Sequence, residues 1–563
     1  MLPWLKKNKI KLTILILSIF YLVSLDKAVG TIGDTSKYIV LAESVATGKG
    51  YKNIHLVNSP PNDRYPPLYP LLLAPFFAFG RNFVAMKLVS FASALVALWL
   101  LYQLLLRHTD ETTAFLLVLL IGASSLFVKY TDRILTEMPY LALTIGAMLV
   151  IERYAGLERW WAKEGLLAGL LLLATVMLRS VGISLLVGGF LYLLFADKGK
   201  KWRARAKKGL LLIAPSVIFM GLWALRALSV GSYYARVFLL VDPNDAALGK
   251  VNLGQLLLRL PLNFHFYLTS LAGVEVRDLR LEPFLILAPA AVFFLLLIGY
   301  RRFSSHPSAI SYYVAFYLAI FAFWPWRATR FLLPILPFLF LYLFVGLEGT
   351  IKRLAVLGEK RYVRAVFVLI LVIGLIPVLA FKSEDTQVLG RYSLNFFCVL
   401  LVYLLVLLAA FIFVFSKKVW AAISLVFRSP RLIHILLFLA LVVVSMNTIF
   451  KELKRKEAYE GPWRGYAAMA EWIRDNSPEG SVVAARAPEF FYVLSRRKIY
   501  PQYGSEDSIL SGAVDYVVVD RLARSLGWRV SSAQIMLPLA EKFPDRLNIV
   551  YEDSGNIIYG IVK

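Results

Sequence analysis

Acidic and arginine side chains stand just outside the long apolar runs of this sequence, and the first of them is a carboxylate. Asp34 follows the first apolar run, in the stretch GDTSKYIVLAES. A carboxylate beside a reacting hydroxyl can act as a general base and take its proton during a group transfer. A structural role is the alternative, because Asp is favoured at the start of a helix and an amphipathic pattern begins at Thr35.

Three arginines are candidates for binding a phosphate group. Arg64 stands in RYPPLYP beside Tyr65 and Tyr69, which we predict to belong to a substrate pocket where tyrosine stacks on a sugar. Arg327 and Arg330 stand three residues apart in WRATRFLLP, so on a helix they share a face. A guanidinium group binds phosphate and stabilises it as a leaving group. The alternative is an ordinary membrane boundary, where arginines anchor helix ends and tyrosines form a belt.

Two further acids and a histidine form a candidate metal site. Asp132 and Glu137 lie close together in KYTDRILTEMPYL, and His265 lies in a later polar segment. Hard divalent cations prefer oxygen ligands, so these residues predict a divalent metal ion, and no other cofactor is indicated. The alternative is that Glu137 and Pro139 simply begin a helix and that a lone histidine is structural. The single Cys398 excludes a cysteine-based metal site.

The elements that position these residues are predicted to be membrane-spanning helices. Of 563 residues, 59% are hydrophobic and only 17% are charged, and the mean hydropathy is +0.67. Apolar runs recur at the length that a bilayer requires, so we predict about thirteen spans, the first of them retained because no cleavage site follows it. The spans are placed at approximately 11–25, 84–106, 113–128, 139–151, 165–178, 182–195, 209–228, 284–300, 309–323, 332–347, 365–381, 394–415 and 433–450.

The net charge of +26 is explained by the orientation of these spans. Every second loop is basic, as in KGKKWRARAKK at 198–208 and RR at 301–302. Basic loops stay on the cytoplasmic side, so we predict a multi-pass protein of the cytoplasmic membrane with its N-terminus inside and its C-terminus outside. Membrane lipids are then expected partners, and nucleic acid is not. The long outer segments are 26–83, 229–283 and 451–563.

The C-terminal part of the chain has the pattern of a soluble α/β domain. We therefore divide the chain into a membrane domain, 1–450, and an extracytoplasmic α/β domain, 451–563. In the latter, AAMAEWIRDN and PEFFYVLS predict helices, SVVAA and VDYVVVD predict buried strands, and NIVYED with NIIYGIVK predicts a terminal hairpin. The domain has no Ser-His-Asp set and no glycine-rich phosphate loop, which favours a docking or lid role.

Taken together, these motifs resemble those of the GT-C membrane glycosyltransferases, and most of all the protein O-mannosyltransferases and the aminoarabinose-to-lipid-A transferases. The resemblance extends over the whole chain, and it consists in the order and common side of four motifs and in the plan of about thirteen spans followed by an outer α/β domain. The motifs are G-D-x-x-x-Y in the first outer segment, R-Y-P-P-L-Y-P, T-E-M-P and R-F-L-L-P-x-L-P.

The resemblance implies transfer of a sugar from a polyprenyl-phosphate donor, with inversion at the anomeric carbon, to a lipid, glycan or protein acceptor on the extracytoplasmic face. It makes Asp34 the catalytic acid position and Arg330 the donor-phosphate ligand, with Arg327 as a helper and Glu137 near the site. Aminoarabinose transferases tend to have Glu-Lys where this chain has Arg64-Tyr65, which leaves the sugar and the acceptor open. The alternatives are a multi-pass transporter or flippase, disfavoured by few mid-span charges, and an O-antigen-type ligase, disfavoured because no large outer loop comes late.

Overall fold

The computed structural model is predominantly helical. It describes residues 2–357 except 32, 197, 198, 200, 244 and 272–281, and residues 461–562 except 502, 504–510 and 523–530, together with 434, 438, 439, 445 and 459. The helices of the first part are α1 Leu2–Val23, α2 Gly33–Ala46, α3 Leu68–Leu73, α4 Phe83–Leu105, α5 Glu111–Gly122, α6 Ser125–Thr131, α7 Glu137–Gly156, α8 Lys163–Leu178, α9 Ile183–Phe195, α10 Trp202–Val230, α11 Tyr233–Phe238, α12 Leu253–Leu271, α13 Glu282–Phe303, α14 Ala309–Phe323 and α15 Leu336–Leu357.

The apolar runs of the first part all form helices where the sequence predicts spans. Within the described residues, α4 and α10 are each long and apolar enough to cross a membrane unaided. Helices α5 and α6 meet the same criteria as a pair, but the chain bends by 62° between them. The last three predicted spans, 365–381, 394–415 and 433–450, lie outside the described residues apart from isolated positions, so the total of about thirteen stays a prediction.

Neighbouring helices pack closely where glycine lies at the crossing point. Helix α13 packs along α15, and a methyl group added at Gly299 would lie 1.8 Å from the carbonyl oxygen of Tyr342. On the opposite helix, the same addition at Gly346 would lie 2.1 Å from the carbonyl oxygen of Leu295. Small residues of this kind let two membrane helices approach backbone to backbone. Either substitution would therefore push α13 and α15 apart.

Two segments between the long helices carry short elements of their own. The segment between α1 and α4 contains α2, α3 and a 3₁₀ turn at Ala74–Phe79. The segment after α10 contains α11, a two-stranded hairpin of β1 Leu240–Asp242 and β2 Asp245–Lys250, and the amphipathic α12. These are the first two long outer segments of the predicted topology, and both reach the site described below.

The C-terminal part forms a small mixed sheet with helices, as predicted. Its elements are α16 Pro462–Asn476, β3 Val482–Ala484, α17 Pro488–Ser495, β4 Lys498–Ile499, β5 Tyr516–Val519, α18 Ser532–Lys542, β6 Leu547–Asp553 and β7 Asn556–Ile561. The strand order is β4-β3-β5-β7-β6, with β3 parallel to both β4 and β5, and β7 antiparallel to β5 and β6. The predicted hairpin is confirmed as β6 and β7, with its turn at Ser554 and Gly555, where Gly555 has φ 79°.

Candidate functional site

Five separate stretches of the chain enclose a cavity of about 420 Å³ at one end of the helices. They are the start of α2, the turn before α3, the start of α7, the α8–α9 connection, and the stretch from the end of α14 to the 3₁₀ turn Thr329–Leu332, and Tyr234 of α11 adds to the wall. All of these stretches belong to segments that the sequence places on the outer side. The segments that the fold brings together around the cavity are thus ones that the sequence predicts to lie on the same side of the membrane.

Asp34 lies in the first turn of α2, and its carboxylate contacts three side chains from elsewhere in the chain. Arg330 donates to Oδ2 at 2.5 Å, and the Tyr65 hydroxyl donates to Oδ1 at 2.5 Å. Arg64 lies 3.3 Å from the same Oδ1. Helix capping thus does not explain these contacts, although the positive end of the helix dipole also favours a carboxylate at this place.

The surroundings of Asp34 keep it ionised. Burial alone would raise the pKa of Asp34, but the charges of Arg330 and Arg64 and the hydrogen bond from Tyr65 outweigh burial and hold the pKa well below its usual range. A carboxylate that is neutralised in this way is a weak base. Its basicity would rise if a ligand took up one of the two arginines.

A second carboxylate, Glu137, extends this network. Glu137 is the first residue of α7 and its side chain is only 2% exposed. Its Oε1 lies 3.0 Å from Arg179 and 3.8 Å from Arg330. Arg330 thus stands between the two acids, and Arg179, which ends α8, closes the far side. We call the five residues Asp34, Arg64, Glu137, Arg179 and Arg330 the Asp34 cluster.

The Asp34 cluster carries a net positive charge. Three guanidinium groups face two carboxylates, which leaves one positive charge at neutral pH. Arg327 on the cavity wall adds a second, and it takes part in no ion pair among the described residues. Uncompensated charge in a partly buried cavity is costly, so the cavity is electrostatically suited to an anion.

Local hydrogen bonds fix the turn that carries Arg64 and Tyr65. The Asn62 side chain accepts from the backbone N–H of Arg64 and donates to the carbonyl oxygen of Tyr65, and the Tyr51 hydroxyl donates to that carbonyl as well. The Arg64 guanidinium lies 4.4 Å from the ring centre of Tyr233 and 4.9 Å from that of Tyr65. Stacking against these rings holds Arg64 at the cavity edge.

The tyrosines of the RYPPLYP motif do not act together as predicted. Tyr65 lines the cavity, but Tyr69 is fully buried in α3 and is not part of the cavity wall. Its ring packs edge-on against Tyr38, with ring centres 4.9 Å apart, and Tyr38 is the residue of the pair that lines the cavity. The side-chain period of the short helix turns Tyr69 inward, so Tyr69 does not line this cavity.

The predicted metal site of Asp132, Glu137 and His265 does not form. Asp132 is buried and paired with Lys87, whose Nζ lies 2.9 Å from Oδ1, whereas Glu137 is paired with arginine. His265 lies exposed on α12. Within the part of the chain that the structure describes, no group of three or more His, Cys, Asp or Glu side chains could hold a metal ion. Cationic side chains occupy the positions where a metal would bind.

Several cavity residues were not singled out from the sequence. Arg179 ends α8 in LRSVG, and its position in a predicted outer turn was the available signal. Tyr234, Trp324 and Trp326 form an aromatic part of the wall, with the two indole rings 5.8 Å apart. The aromatic signal was present in WPW, but interfacial tryptophans are too common for sequence to separate the two roles.

Comparisons with known proteins agree with this fold. Residues 64–223 match the family model described as dolichyl-phosphate-mannose-protein mannosyltransferase. The solved structure of ArnT from Cupriavidus metallidurans bound to undecaprenyl phosphate is similar over 99% of this chain and 98% of that chain, with TM-score 0.51 and 12% identity. The same protein in the apo state gives TM-score 0.50 at 12% identity, over 99% and 98% of the two chains.

A third similar structure is the Archaeoglobus fulgidus oligosaccharyltransferase tethered with an acceptor peptide. It matches 100% of this chain and 75% of that chain, with TM-score 0.50 and 15% identity. Identities at this level establish a shared fold, and they do not transfer a substrate. No curated protein sequence matches the chain. The resemblance drawn from the sequence motifs agrees with the family match over residues 64–223 and with the shared fold.

Proposed function

From the family match over residues 64–223 and the fold shared with ArnT, we propose that this chain moves a sugar from a polyprenyl-phosphate donor to a hydroxyl acceptor. The observation that carries the proposal is the Asp34 cluster, where a carboxylate is held against arginines beside a cavity of net positive charge. That arrangement supplies both groups that the transfer needs, a base and an anion site.

The proposed reaction is a single displacement at the anomeric carbon. The acceptor oxygen forms a bond to that carbon while the bond from the carbon to the phosphate oxygen breaks, so the anomeric configuration inverts. The acceptor proton goes to Asp34, and the bonding electrons leave with the polyprenyl phosphate. Arg330 and Arg327 stabilise the charge that the phosphate gains, and Arg64 and Arg179 keep the two acids in place.

Arg330 has two competing partners in this scheme, and the competition activates the base. Without donor, Arg330 neutralises Asp34 at 2.5 Å. A phosphate bound at the cavity would draw the guanidinium away because phosphate also forms paired hydrogen bonds with arginine. The pKa of Asp34, now held low chiefly by Arg330 and Arg64 against burial, would then rise. Donor binding would thus make Asp34 a better base at the moment when one is needed.

The charge of the cavity favours an uncharged donor sugar. A phosphodiester brings one negative charge, which balances the Asp34 cluster and still leaves Arg327. A cationic amino sugar would add a like charge where both acids are already paired. The aromatic wall of Tyr234, Trp324 and Trp326 suits the apolar face of a neutral sugar. Donors that differ only by hydroxyl or ammonium at one carbon test this, and equal transfer from both would contradict it.

The domain plan and the location are part of the proposal. Residues 1–450 would form the membrane domain, and residues 451–563 the extracytoplasmic domain, with the cavity on that same face. The family match, the apolar helices α4 and α10, and the common predicted side of the cavity segments support this arrangement. The donor is available to such a site only after its sugar-phosphate has crossed to the outer leaflet, so no nucleotide-binding fold is needed.

The test is sugar transfer by membranes that contain the protein. Labelled polyprenyl-phosphate sugars would be supplied with native lipid and protein extracts as acceptors. We expect transfer by the native chain and a loss of about 10² to 10⁴-fold in Asp34→Asn, the usual contribution of a general base. Donor binding should persist, because the substitution leaves Arg330 and Arg64 free for phosphate. Asp63→Asn, in the same outer segment and paired with Arg236, is the control.

Full transfer by Asp34→Asn would exclude Asp34 as the base. Absence of transfer by the native chain from any polyprenyl-phosphate sugar would contradict the proposed reaction itself. A thermal unfolding curve for each variant separates loss of chemistry from loss of the folded protein.

A further inference from the structure

The C-terminal domain is fastened to the outer segment that carries Asp34. At one end, the backbone N–H of Val29 donates to the hydroxyl of Tyr459 at 3.1 Å. At the other, Leu56 pairs in parallel with Ile499, so the outer segment extends the edge of the five-stranded sheet beyond β4. Backbone hydrogen bonds join Ile499 to both His55 and Val57. The stretch from Val29 to Val57, with α2 inside it, is thereby held at both ends.

Between these two anchors, one carboxylate of the C-terminal domain reaches α2. Glu489 lies in the first turn of α17, and its Oε1 lies 3.2 Å from Nζ of Lys37. The same oxygen lies 3.7 Å from Nε2 of the buried His55. Burial lowers the pKa of His55 to about 4, so His55 is uncharged at neutral pH. Lys37 is therefore the charged partner of Glu489.

Glu489 stays ionised in spite of its surroundings. Burial by itself would raise the pKa of Glu489, but the charge of Lys37, together with hydrogen bonds from Lys37 and from the Glu489 backbone N–H, lowers the pKa. A partly buried ion pair of this kind contributes little net stability, because desolvation of both charges offsets much of their attraction. An apolar contact would fasten the two surfaces at least as well. The pair is thus better explained by the geometry that it imposes.

Lys37 stands one helical turn after Asp34 on α2. Residues three apart on a helix lie on neighbouring positions of its surface, and a helix turn is stiff. A contact that holds Lys37 in place therefore also fixes the orientation of the helical turn that carries Asp34. The contacts of Arg81 with Glu43 and with the carbonyl oxygen of Val493 hold the far end of α2 to the same domain.

We propose that Glu489 is a positioning residue of the C-terminal domain, and that it holds Asp34 in register with the cavity through Lys37. The proposal rests on the function proposed above, since it presumes that Asp34 takes the acceptor proton. Transfer depends on the reacting groups to within about an ångström, so a small rotation of α2 is enough to slow it. Donor binding depends on the arginines, which Glu489 does not touch.

The test compares Glu489→Gln with the native chain in the transfer assay. We expect kcat to fall about ten- to a hundredfold, with the donor KM within about twofold of the native value and little change in Tm. Lys37→Met removes the other side of the pair and should give the same pattern if the first variant folds poorly. Glu479→Gln, in an exposed loop of the same domain, is the matched control and should behave as the native chain.

A charge exchange separates positioning from simple attachment. The double variant Lys37→Glu with Glu489→Lys restores the pair in reverse and should recover part of the lost kcat. Native kcat in Glu489→Gln would overturn the proposal, as would a loss of kcat matched by equal losses of donor binding and Tm. These outcomes do not contradict the proposed reaction. Absence of sugar transfer by the native chain would instead contradict the proposed reaction itself.

Discussion

Two buried groups of charged side chains occur on the predicted outer side of this protein, and their surroundings differ. In the Asp34 cluster, two acids and three arginines border a cavity and leave a net positive charge. In the second group, Lys87 is fully buried between Asp26 at 2.5 Å and Asp132 at 2.9 Å. None of these last three residues lines the cavity. We call them the Lys87 cluster.

The difference between the two clusters separates a binding site from a structural link. The Lys87 cluster joins the end of α1, the first turns of α4 and the end of α6, and the Asp26 backbone N–H also donates to Asp132. Its two acids share the ammonium group of Lys87, and none of its residues borders the cavity. The Asp34 cluster has excess charge next to open space. Both clusters contain charged groups removed from solvent, but only excess charge beside an open cavity indicates function.

Breaking the Lys87 cluster should have the largest effect on the folded protein. Lys87→Met removes the cation that stands between Asp26 and the buried Asp132, which costs about 3–5 kcal/mol. We expect a large drop in Tm in detergent, while the folded fraction retains native kcat. Lys163→Met, exposed at the start of α8, is the control. Loss of kcat at unchanged Tm would mean that the Lys87 cluster takes part in the reaction.

Replacing Arg330 in the Asp34 cluster should instead lower the rate of sugar transfer. Arg330→Gln removes the group that faces both acids, and we expect kcat/KM to fall about 10² to 10³-fold, or about 3–4 kcal/mol, with weaker donor binding. Arg327→Gln, three residues earlier and outside any ion pair of the described chain, should lose less than about tenfold. Unchanged donor affinity in Arg330→Gln would make Arg330 a structural anchor, as in the Lys87 cluster.

The pH dependence of the two kinetic constants tests the proposed exchange of Arg330. In the free protein the pKa of Asp34 is depressed, so its ion pair persists above the unfolded pKa of about 3.9 and is lost only as pH falls through the lower folded pKa. The acid limb of kcat/KM should therefore lie below about pH 4, since that constant reports the free protein. The acid limb of the pH profile of kcat, which reports the donor complex, should lie about one pH unit or more higher. Coincident limbs would contradict the exchange.

The smallest expected effect concerns the hydroxyl that touches Asp34. Tyr65→Phe removes a hydrogen bond of 2.5 Å to Oδ1 and should lower kcat about fivefold, which corresponds to about 1 kcal/mol. Tyr69→Phe is a matched control from the same motif, because Tyr69 lies outside the cavity wall, and its transfer should be native. Equal losses in the two variants would indicate that both act through packing.

The sequence predicted the helices of the first part, but not which charged groups meet. Apolar runs gave the helices of the first part because burial in lipid demands an uninterrupted apolar stretch. The strands of the C-terminal domain followed from short apolar runs between turn residues. Asp132 and Glu137 are close in sequence, yet the α6–α7 connection sends one to Lys87 and the other to Arg179. Spacing along the chain carries no information on such partners.

Sequence alone predicted that this chain is built from apolar helices with basic loops on one side, and it placed Asp34, Arg64 and Arg330 in segments predicted to lie on the other. Solvation dictates this, because each segment must match its own surroundings whatever its neighbours are. Only the tertiary structure decided that Arg330 stands between Asp34 and Glu137, that Arg179 completes the group, and that Glu489 reaches α2. These contacts join residues up to hundreds of positions apart, and only packing of the whole chain brings them together.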